Sequence, residues 1–266
     1  MAARQLSLGG APVLMYHGIG VSIPAGVGDR ESRYWVSPES FGRQLAQIRD
    51  GGHSVVGLHA FWASREDPAH QPVVLTFDDG RATDYELSFP LLLEAGARAE
   101  FFVNTATIGQ PGYLAWSEVV EMHRAGMSFQ SHAHDHFVLP GLPPPILKNE
   151  LETSKRLLED RVGVEVGFLA APYGLLDRRV LDTAREVGYR AVCGSLSWPA
   201  RPGAATVNRV PVYRDTTAAR FAAILGRQPS AFLPGVARTM LMYLPKRILL
   251  KVRPHYLGAR PQTEVA

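Results

Sequence analysis

Residues 73–80 read VVLTFDDG, an apolar run that ends in two adjacent acidic residues and a glycine. The β-branched and apolar side chains predict a buried strand that begins after Pro72 and ends at Gly80. Burying an ionised carboxylate is costly unless a partner compensates it, and two neighbouring carboxylates also repel each other. The stretch therefore predicts a metal or acid–base site at the strand end. The alternative is that Asp78 and Asp79 form a turn or helix cap at Gly80.

A histidine cluster follows another apolar segment, where residues 131–136 read SHAHDH. Two imidazoles and one carboxylate make an N,N,O ligand set that suits Zn²⁺ or a similar divalent ion. Because His132 and His136 are four residues apart, we expect them to reach one ion from a helical turn, with Asp79 supplying the oxygen. His134 lies two residues from each of them and is expected to point elsewhere.

Two further groups complete the predicted chemistry. Asp78 stays free beside the metal and is the candidate general base. The leaving group needs a proton, and His17 is the leading candidate because it follows the predicted strand at residues 13–16 and titrates in a useful pH range. The alternative for His17 is a structural histidine.

Composition narrows the function classes. The 266 residues are 46% hydrophobic and 20% charged, with a formal net charge of +3. Before the C-terminal tail no Lys/Arg run is interleaved with aromatic residues, so no nucleic-acid partner is expected. A single cysteine, Cys193, excludes an internal disulfide and a cysteine-rich zinc site. Histidine and carboxylate must therefore hold any metal.

The sequence shows no targeting or membrane-spanning segment. Residues 1–10 contain one basic residue and lack the apolar core of a signal peptide. No stretch approaches the roughly 18 consecutive apolar residues of a membrane span. We therefore expect a cytoplasmic protein.

Strands alternate with helices along most of the chain, which predicts an α/β fold with parallel pairing. The unusual polar residues follow strands, as expected at the mouth of an α/β barrel, and no glycine-rich phosphate loop favours a doubly wound sheet. The predicted strands are 13–16, 53–56, 73–79, 99–103, 127–130, 166–171, 189–193 and 207–212, and the predicted helices are 38–50, 83–95, 116–124, 143–161, 177–187 and 216–225.

Three motifs carry a family resemblance. TFDDG at residues 76–80, the His132-x-x-x-His136 pair and PYG at residues 172–174 occur in that order. Together they resemble the polysaccharide deacetylase family, also called the NodB-homology or carbohydrate esterase 4 family. The likeness extends over roughly residues 11–215. It implies a distorted (β/α)₇ TIM-like barrel and a hydrolase that acts on carbon–nitrogen bonds other than peptide bonds.

The resemblance also implies roles for individual residues. It makes Asp78 the base and Asp79, His132 and His136 the ligands of a divalent metal. Zn²⁺ is the expected ion, with Ni²⁺, Co²⁺ or Mn²⁺ as alternatives. The backbone amide of Tyr173 would help to hold the oxyanion, as preorganised donors generally do.

The N-terminal strand points to one branch of the family. Residues 14–17, LMYH, resemble the Leu-x-His motif that most members carry near their C-terminus. A circularly permuted branch, which includes exopolysaccharide poly-N-acetylglucosamine deacetylases, carries this motif first. On that match His17 is the general acid.

The sequence also departs from the family pattern. The arginine usually found two residues before the proline is Ala170 here, so the contact that commonly orients the base is expected to be missing. Trp198 is the nearest candidate for a wall of the acetyl pocket. Pro172 and Arg81 are the other expected substrate contacts.

The regular alternation ends near residue 226, which predicts a barrel over residues 1–226 and a basic amphipathic extension over residues 227–266. Residues 230–256 could lie on an anionic membrane surface, so that the protein would be peripheral at the inner face of the membrane. The favoured alternative is a closing helix packed on the barrel.

Three functions follow from these patterns. The leading hypothesis is a metal-dependent N-deacetylase that acts on an N-acetylated amino sugar, in a polysaccharide or a lipid-linked glycan of an exopolysaccharide pathway. The second is hydrolysis of a non-sugar amide on the same metal site. The third is a catalytically silent carbohydrate-binding barrel, which the loss of arginine at position 170 favours.

Overall fold

The computed structural model of the protein describes residues 7–23, 28–64, 71–237, 239 and 241. The strands are β1 Val13–Tyr16, β2 Gly18–Ile19, β3 Trp35–Val36, β4 Ser54–Val55, β5 Pro72–Asp79, β6 Glu100–Val103, β7 Ser128–Ser131, β8 Phe168–Ala170, β9 Ala191–Cys193, β10 Thr206–Val207 and β11 Val210–Pro211. The α-helices are α1 Asp29–Ser32, α2 Pro38–Asp50, α3 Leu58–Ala63, α4 Phe89–Glu94, α5 Trp116–Arg124, α6 Pro144–Val162, α7 Arg178–Val187 and α8 Ala218–Leu225.

The main sheet is parallel and curls into a distorted barrel. Its strand order is β10-β9-β8-β7-β6-β5-β1-β11, with β4 paired to the start of β5. The two ends of this order, β10 and β11, follow each other in the chain and are joined by Asn208 and Arg209. The short segment between them therefore spans the gap between the sheet edges. This arrangement confirms the predicted barrel.

The strands separate two apolar layers because successive side chains point to opposite faces. On β5, Val73, Leu75 and Phe77 pack in the large cluster that contains the helix residues Phe41 and Leu45. Val74 belongs to the smaller cluster that fills the barrel, together with Ala11, Val13, Leu58, Phe61, Phe102, Phe168, Ala170, Ala191, Cys193, Ala200 and Val207. The alternation places Asp78 on the interior face of β5, as it does Val74.

A row of aromatic rings sets the register of the central strands. Phe77 stacks on Tyr16 of β1 at 5.2 Å between ring centroids and on Phe101 of β6 at 4.9 Å. Phe101 in turn stacks on Phe129 of β7 at 5.5 Å. Each such pair contributes about 0.5–1.5 kcal/mol beyond the area it buries. In this register Asp79 pairs with Val103, which itself pairs with Ser131, so the carboxyl ends of β5, β6 and β7 lie level.

The structure confirms most predicted elements and corrects three. The predicted helix 83–95 begins with a π-helical turn, Asp84–Ser88, before α4. The predicted strand 207–212 is two short strands on opposite edges of the sheet, since the chain crosses the gap between them. The stretch between the predicted strand 13–16 and the predicted helix 38–50 contains β2, α1 and β3, and these strands are too short to show a periodic pattern.

The described start of the C-terminal extension packs on the barrel. Residues 229–237 are helical, and Ala231 and Phe232 are buried in the main core. Of the segment predicted to contact a membrane, residues 238, 240 and 242–256 lie outside the described residues. In the described part of the chain, every helix is too short or too polar to cross a bilayer. The boundary at residue 226 stays a prediction.

Candidate metal and catalytic centre

Asp79, His132 and His136 come together at the carboxyl ends of β5 and β7. Oδ1 of Asp79 lies 3.6 Å from Nε2 of His132 and 3.5 Å from Nε2 of His136. The three candidate ligand atoms lie within 4.8 Å of one another. A small divalent ion with bonds of about 2.0–2.2 Å to nitrogen and oxygen fits between donors at such separations. The chain therefore brings together the ligand set expected from its sequence.

The backbone turns sharply at the end of β5, at Asp79 itself and at Gly80. Asp79 has φ 80° and Gly80 has φ 65°, so two successive residues are in the left-handed region. A Cβ at Gly80 would lie 2.8 Å from Cγ1 of Val103. Glycine is needed here both for its conformation and for the close approach of the neighbouring strand.

His132 and His136 lie in a loop, so the prediction that they share a helical turn is wrong. Ala133 and His136 have φ values of 63° and 60°, which no right-handed helical turn contains. The loop is held by Glu150 of α6, whose carboxylate accepts hydrogen bonds from the backbone N–H groups of His134 (3.2 Å) and Asp135 (2.9 Å). These tertiary hydrogen bonds, rather than the local i, i+4 spacing, place the rings.

The histidine between the two ligand candidates points away, as expected. Nδ1 of His134 lies 2.7 Å from Oγ1 of Thr105, which is two residues beyond the end of β6. His134 does not belong to the group of potential ligands. Its hydrogen bond attaches the loop to the neighbouring strand connection.

A backbone carbonyl orients the ring of His132. Nδ1–H of His132 donates to the carbonyl oxygen of Ala170 at 2.8 Å. With the proton on Nδ1, the lone pair of Nε2 is free to face Asp79, which is the arrangement that a metal-ligating histidine needs. Position 170 therefore acts on the site through its main chain.

Asp78 is held inside the barrel by an arginine that the sequence did not reveal. Oδ1 and Oδ2 of Asp78 accept hydrogen bonds from Nη1 (2.6 Å) and Nη2 (2.8 Å) of Arg209. Both side chains are buried, with 2% and 1% of their surface exposed. The expectation that an orienting arginine is missing because position 170 is alanine is wrong. Arg209 supplies that contact from the segment that closes the barrel.

The charges around Asp78 keep it ionised. Burial alone would raise its pKa, but the guanidinium of Arg209 and the nearby His132 and His17 lower it, and the net pKa shift is downward. Asp78 is therefore a carboxylate in the folded protein at neutral pH. The only sequence signal for its partner is a basic residue within the apolar run VNRVPV at residues 207–212.

His17 follows β1 and faces the same site. Its ring packs against Tyr34 at 4.3 Å between centroids. Burial lowers the pKa of His17, while the charges of Asp78 and Asp79 raise it, and the net shift is downward. In the described part of the chain, its buried Nδ1 has no hydrogen-bond partner. His17 therefore lies near both carboxylates, and its role as acid stays a prediction.

The PYG segment lies beside the second histidine. Tyr173 has φ 59° and its ring lies 4.9 Å from that of His136, with 45% of the residue exposed. Pro172 is buried. Trp198 packs edge-on against Phe232, and no described contact joins it to the metal cluster. The substrate roles of Pro172 and Trp198 and the oxyanion role of the Tyr173 amide stay predictions.

Arg81 binds the candidate metal ligand Asp79 instead of facing solvent. Its Nη2 lies 3.2 Å from Oδ2 of Asp79 and also contacts Glu31. Its guanidinium carbon lies 5.9 Å from the ring centroid of Trp35 and 5.5 Å from that of Tyr113. Only 13% of the side chain is exposed. Its expected contact with substrate stays a prediction.

Sequence comparisons connect this site to known proteins. The family model of polysaccharide deacetylases matches residues 65–192. The Bacillus subtilis protein YxkH, named as a polysaccharide deacetylase, is 28% identical over 198 residues, which cover 73% of this chain and 66% of YxkH. Poly-beta-1,6-N-acetyl-D-glucosamine N-deacetylase of Staphylococcus aureus is 23% identical over 173 residues, covering 59% of this chain and 60% of that protein. The chain thus spans less than two thirds of the length of these relatives.

Solved structures share the fold over most of the chain. Deacetylase PplD of Streptococcus pyogenes, determined in complex with acetate, superposes with a TM-score of 0.73 at 26% identity, covering 84% of this chain and 99% of that one. IcaB of Ammonifex degensii gives a TM-score of 0.71 at 26% identity, with the same coverage of 84% and 99%. These similarities agree with the predicted barrel.

Proposed function

The chain belongs to the polysaccharide deacetylase family, and on this premise we propose that it is a metal-dependent hydrolase that removes N-acetyl groups from an amino sugar of a glycan. The observation that carries the proposal is the pair of adjacent carboxylates with different surroundings. Asp79 faces two imidazoles, whereas Asp78 is fixed by Arg209. A base beside a three-ligand metal site is the minimal machinery for metal-assisted amide hydrolysis.

Asp79, His132 and His136 would hold the metal. The N,N,O set suits Zn²⁺, and Ni²⁺, Co²⁺ or Mn²⁺ can use the same donors. When bound, such an ion polarises the acetyl carbonyl and lowers the pKa of water in the site. Three protein ligands leave coordination positions for water and substrate.

Asp78 takes the proton of the attacking water on a carboxylate oxygen. Each of its oxygens accepts one hydrogen bond from Arg209 and keeps a second lone pair for that proton. Arg209 acts as a positioning residue, because it fixes both the direction and the ionisation of the base. A base held in place avoids the entropy of orientation during the reaction.

The imidazolium form of His17 would donate its proton to the departing amine and become neutral, and the amide of Tyr173 would help to hold the oxyanion. Around the site, Tyr34 and Tyr113 are partly buried and Tyr173 is 45% exposed. Aromatic faces and polar edges suit the apolar face and hydroxyl groups of a sugar ring. The name of the Staphylococcus aureus relatives, poly-beta-1,6-N-acetyl-D-glucosamine N-deacetylases, supports an N-acetylated glucosamine polymer as the substrate class.

The arginine partner of Asp78 favours this function over the silent carbohydrate-binding barrel. A binding protein has no use for a buried base next to a metal cluster, and the departure at position 170 no longer supports loss of activity. A lipid-linked substrate at the inner face of the membrane and a cytoplasmic location remain proposals from the sequence.

The function is tested by acetate release from the zinc-loaded protein. The substrates are β-1,6- and β-1,4-linked N-acetylglucosamine oligomers and, for the non-sugar alternative, an N-acetylated amino acid. We expect acetate from the oligomers only, and about 10²- to 10⁴-fold slower release with Asp78→Asn. The matched control is Glu152→Gln, which alters an exposed carboxylate on α6. Release from the amino acid alone would establish the non-sugar amidase, and no release from any substrate would contradict the proposal.

A further inference from the structure

One guanidinium joins the metal ligand Asp79 to a separate segment of the chain. Nη2 of Arg81 contacts Oδ2 of Asp79 at 3.2 Å and a carboxylate oxygen of Glu31. Glu31 belongs to α1, in the connection between β2 and β3. Arg81 is therefore shared between a residue of the metal cluster and a residue 50 positions earlier in the sequence.

The two oxygens of Asp79 have different neighbours. Oδ1 faces Nε2 of His132 and of His136, whereas Oδ2 faces Arg81. A carboxylate can bind a metal through one oxygen or through both. Binding through one oxygen keeps the number of ligand atoms low, which favours Zn²⁺ over larger ions that prefer many oxygen ligands. A hydrogen bond from Arg81 to Oδ2 leaves Oδ1 as the ligand atom.

Several contacts fix the guanidinium in this place. Trp35 and Tyr113 lie on the Arg81 side chain at 5.9 and 5.5 Å, measured from the guanidinium carbon to the ring centroids. The backbone N–H of Arg81 donates to Oδ2 of Asp84 at 3.0 Å, and Arg81 forms an isolated β-bridge with Tyr113. Because both the backbone and the side chain are held, the direction of the hydrogen bond to Asp79 is defined.

The charge of Arg81 needs compensation next to a divalent ion. Two cations in a partly buried site repel each other, which would weaken metal binding. Glu31 contacts the same Nη2 atom and offsets this charge. The arrangement keeps the orienting hydrogen bond on Asp79 while limiting the repulsion.

The segment that carries Glu31 also contacts the other side of the site. Tyr34, three residues later, packs on the ring of His17, and Trp35 packs on Arg81. Residues 31–35 thus touch both the candidate acid and the support of the metal ligand. A displacement of this segment would alter both.

From this geometry we propose that Arg81 is a positioning residue of the metal centre: it holds Asp79 as a one-oxygen ligand and, through Glu31, makes metal affinity depend on residues 31–35. The inference rests on the proposed metal site and on no property of the substrate. It assigns to Arg81 a role at the metal in place of a role in substrate binding.

The test measures metal binding without substrate. The Zn²⁺ dissociation constant is determined by competition with a chromophoric chelator, and the Co²⁺ protein is examined by its visible absorption spectrum. The variants are Arg81→Ala, Arg81→Lys and Glu31→Gln. The matched control is Arg190→Ala, which removes an arginine paired with Glu165 at the opposite end of the strands.

We expect Arg81→Ala to raise the Zn²⁺ dissociation constant by about 10- to 100-fold, as loss of a partner that orients a ligand generally does. Its Co²⁺ spectrum should change because both oxygens of Asp79 become available. Arg81→Lys keeps the charge but not the planar fork and should recover only part of the affinity. Glu31→Gln should raise the constant a few-fold.

Zn²⁺ affinity and a Co²⁺ spectrum of Arg81→Ala equal to those of Arg190→Ala would overturn the inference while leaving the proposed function intact. Failure of the unaltered protein to bind Zn²⁺ would instead contradict the proposed function. If Arg81→Ala does not fold, Glu31→Gln decides, since its side chain is 39% exposed and the substitution is mild. An unchanged affinity in Glu31→Gln then counts against the inference.

Discussion

Asp78 and Asp79 are neighbours in the sequence, yet each has its own arginine. Arg209 binds both oxygens of Asp78 at 2.6 and 2.8 Å inside the barrel. Arg81 binds one oxygen of Asp79 at 3.2 Å near the rim and is itself shared with Glu31. The strand alternation sends the two carboxylates in different directions. This difference in bonding fits the proposed roles, in which Asp78 is the oriented base and Asp79 has one oxygen for a metal.

The two ion pairs also differ in what their loss would do. The Asp78–Arg209 pair is almost fully buried, so removing one partner leaves a charge without compensation in the interior. Such a loss generally costs about 3–5 kcal/mol. In the Asp79–Arg81–Glu31 group the exposed fraction of the side chain rises from 8% at Asp79 through 13% at Arg81 to 39% at Glu31, so water screens these charges more than those of the Asp78–Arg209 pair. The Asp78–Arg209 pair, here called the inner pair, should therefore determine stability and the pKa of the base. The Asp79–Arg81–Glu31 group, here called the outer group, should determine metal affinity.

The largest expected effect follows from Asp78→Asn, which removes the base and retains the shape of the side chain. The turnover number should fall by about 10²- to 10⁴-fold, the usual contribution of a general base. Acetate release at saturating substrate measures this, with Glu152→Gln as the control. Full activity in Asp78→Asn would show that another group is the base and would remove the functional difference between the two aspartates.

Arg209→Met breaks the inner pair. Unfolding free energy should fall by about 3–5 kcal/mol, because Asp78 stays buried without its partner. The pKa of Asp78 should rise, so the acidic limb of the activity profile should move to higher pH. Urea unfolding and the pH dependence of turnover measure the two effects.

The control for this variant is Arg190→Met, which breaks a more exposed arginine–glutamate pair and should cost at most about 1 kcal/mol. Arg209→Lys keeps the charge but cannot bind both oxygens in the same way. It should therefore retain more stability than activity. Equal losses of stability in Arg209→Met and Arg190→Met would contradict the claim that burial makes the Asp78–Arg209 pair important for stability.

Glu150 extends the comparison to a third buried carboxyl group, the one that holds the histidine loop. Burial is the main cause that raises its pKa from about 4.5 to about 7. Between pH 4.5 and about 7, Glu150 therefore keeps its proton in the folded protein but has lost it in the unfolded chain. Its contribution to stability is therefore complete below pH 4.5 and is lost as the pH rises through 7.

Glu150→Gln should remove this part of the pH dependence. In the presence of a chelator, the unfolding free energy of the variant should decline less between pH 4.5 and 7 than that of the unaltered protein. Urea unfolding at several pH values measures the difference. Parallel curves for the two proteins would show that Glu150 titrates in its ordinary range.

The smallest effect is expected for His134→Ala. This variant tests whether the histidine that faces Thr105 differs in function from the two histidines that face Asp79. Zn²⁺ affinity should stay unchanged, and stability should fall by about 0.5–1.5 kcal/mol for one lost hydrogen bond. His132→Ala, in contrast, should lose the metal. Titration with Zn²⁺ compares the two variants. Loss of metal binding in His134→Ala would show that His134 is a metal ligand, which contradicts the assignment of His132 and His136.

The sequence predicted those parts of the site that depend on local pattern. Asp78, Asp79, His17 and the histidine cluster each follow an apolar run, and parallel strands bring such positions to one end of a barrel. The exact backbone path of residues 132–136 depends on Glu150, which no short-range spacing reveals. The histidines were therefore found, whereas their conformation was not.

Partners from distant parts of the chain escaped prediction. Arg209 is 131 residues from Asp78 and lies where the barrel closes, in what looked like one continuous strand. The short strands β10 and β11 are too brief for a period to separate them. Long-range pairing of this kind is decided by the closure of the sheet, and a single sequence contains no periodic signal for it.

The roles of the two aspartates are separated most directly by the zinc content of Asp78→Asn and Asp79→Asn, measured after dialysis against the same buffer. Asp78→Asn should retain zinc as fully as the unaltered protein while its turnover falls by about 10²- to 10⁴-fold, and Asp79→Asn should lose the zinc. Equal zinc content in both variants would contradict the assignment of one aspartate to the metal and the other to the base.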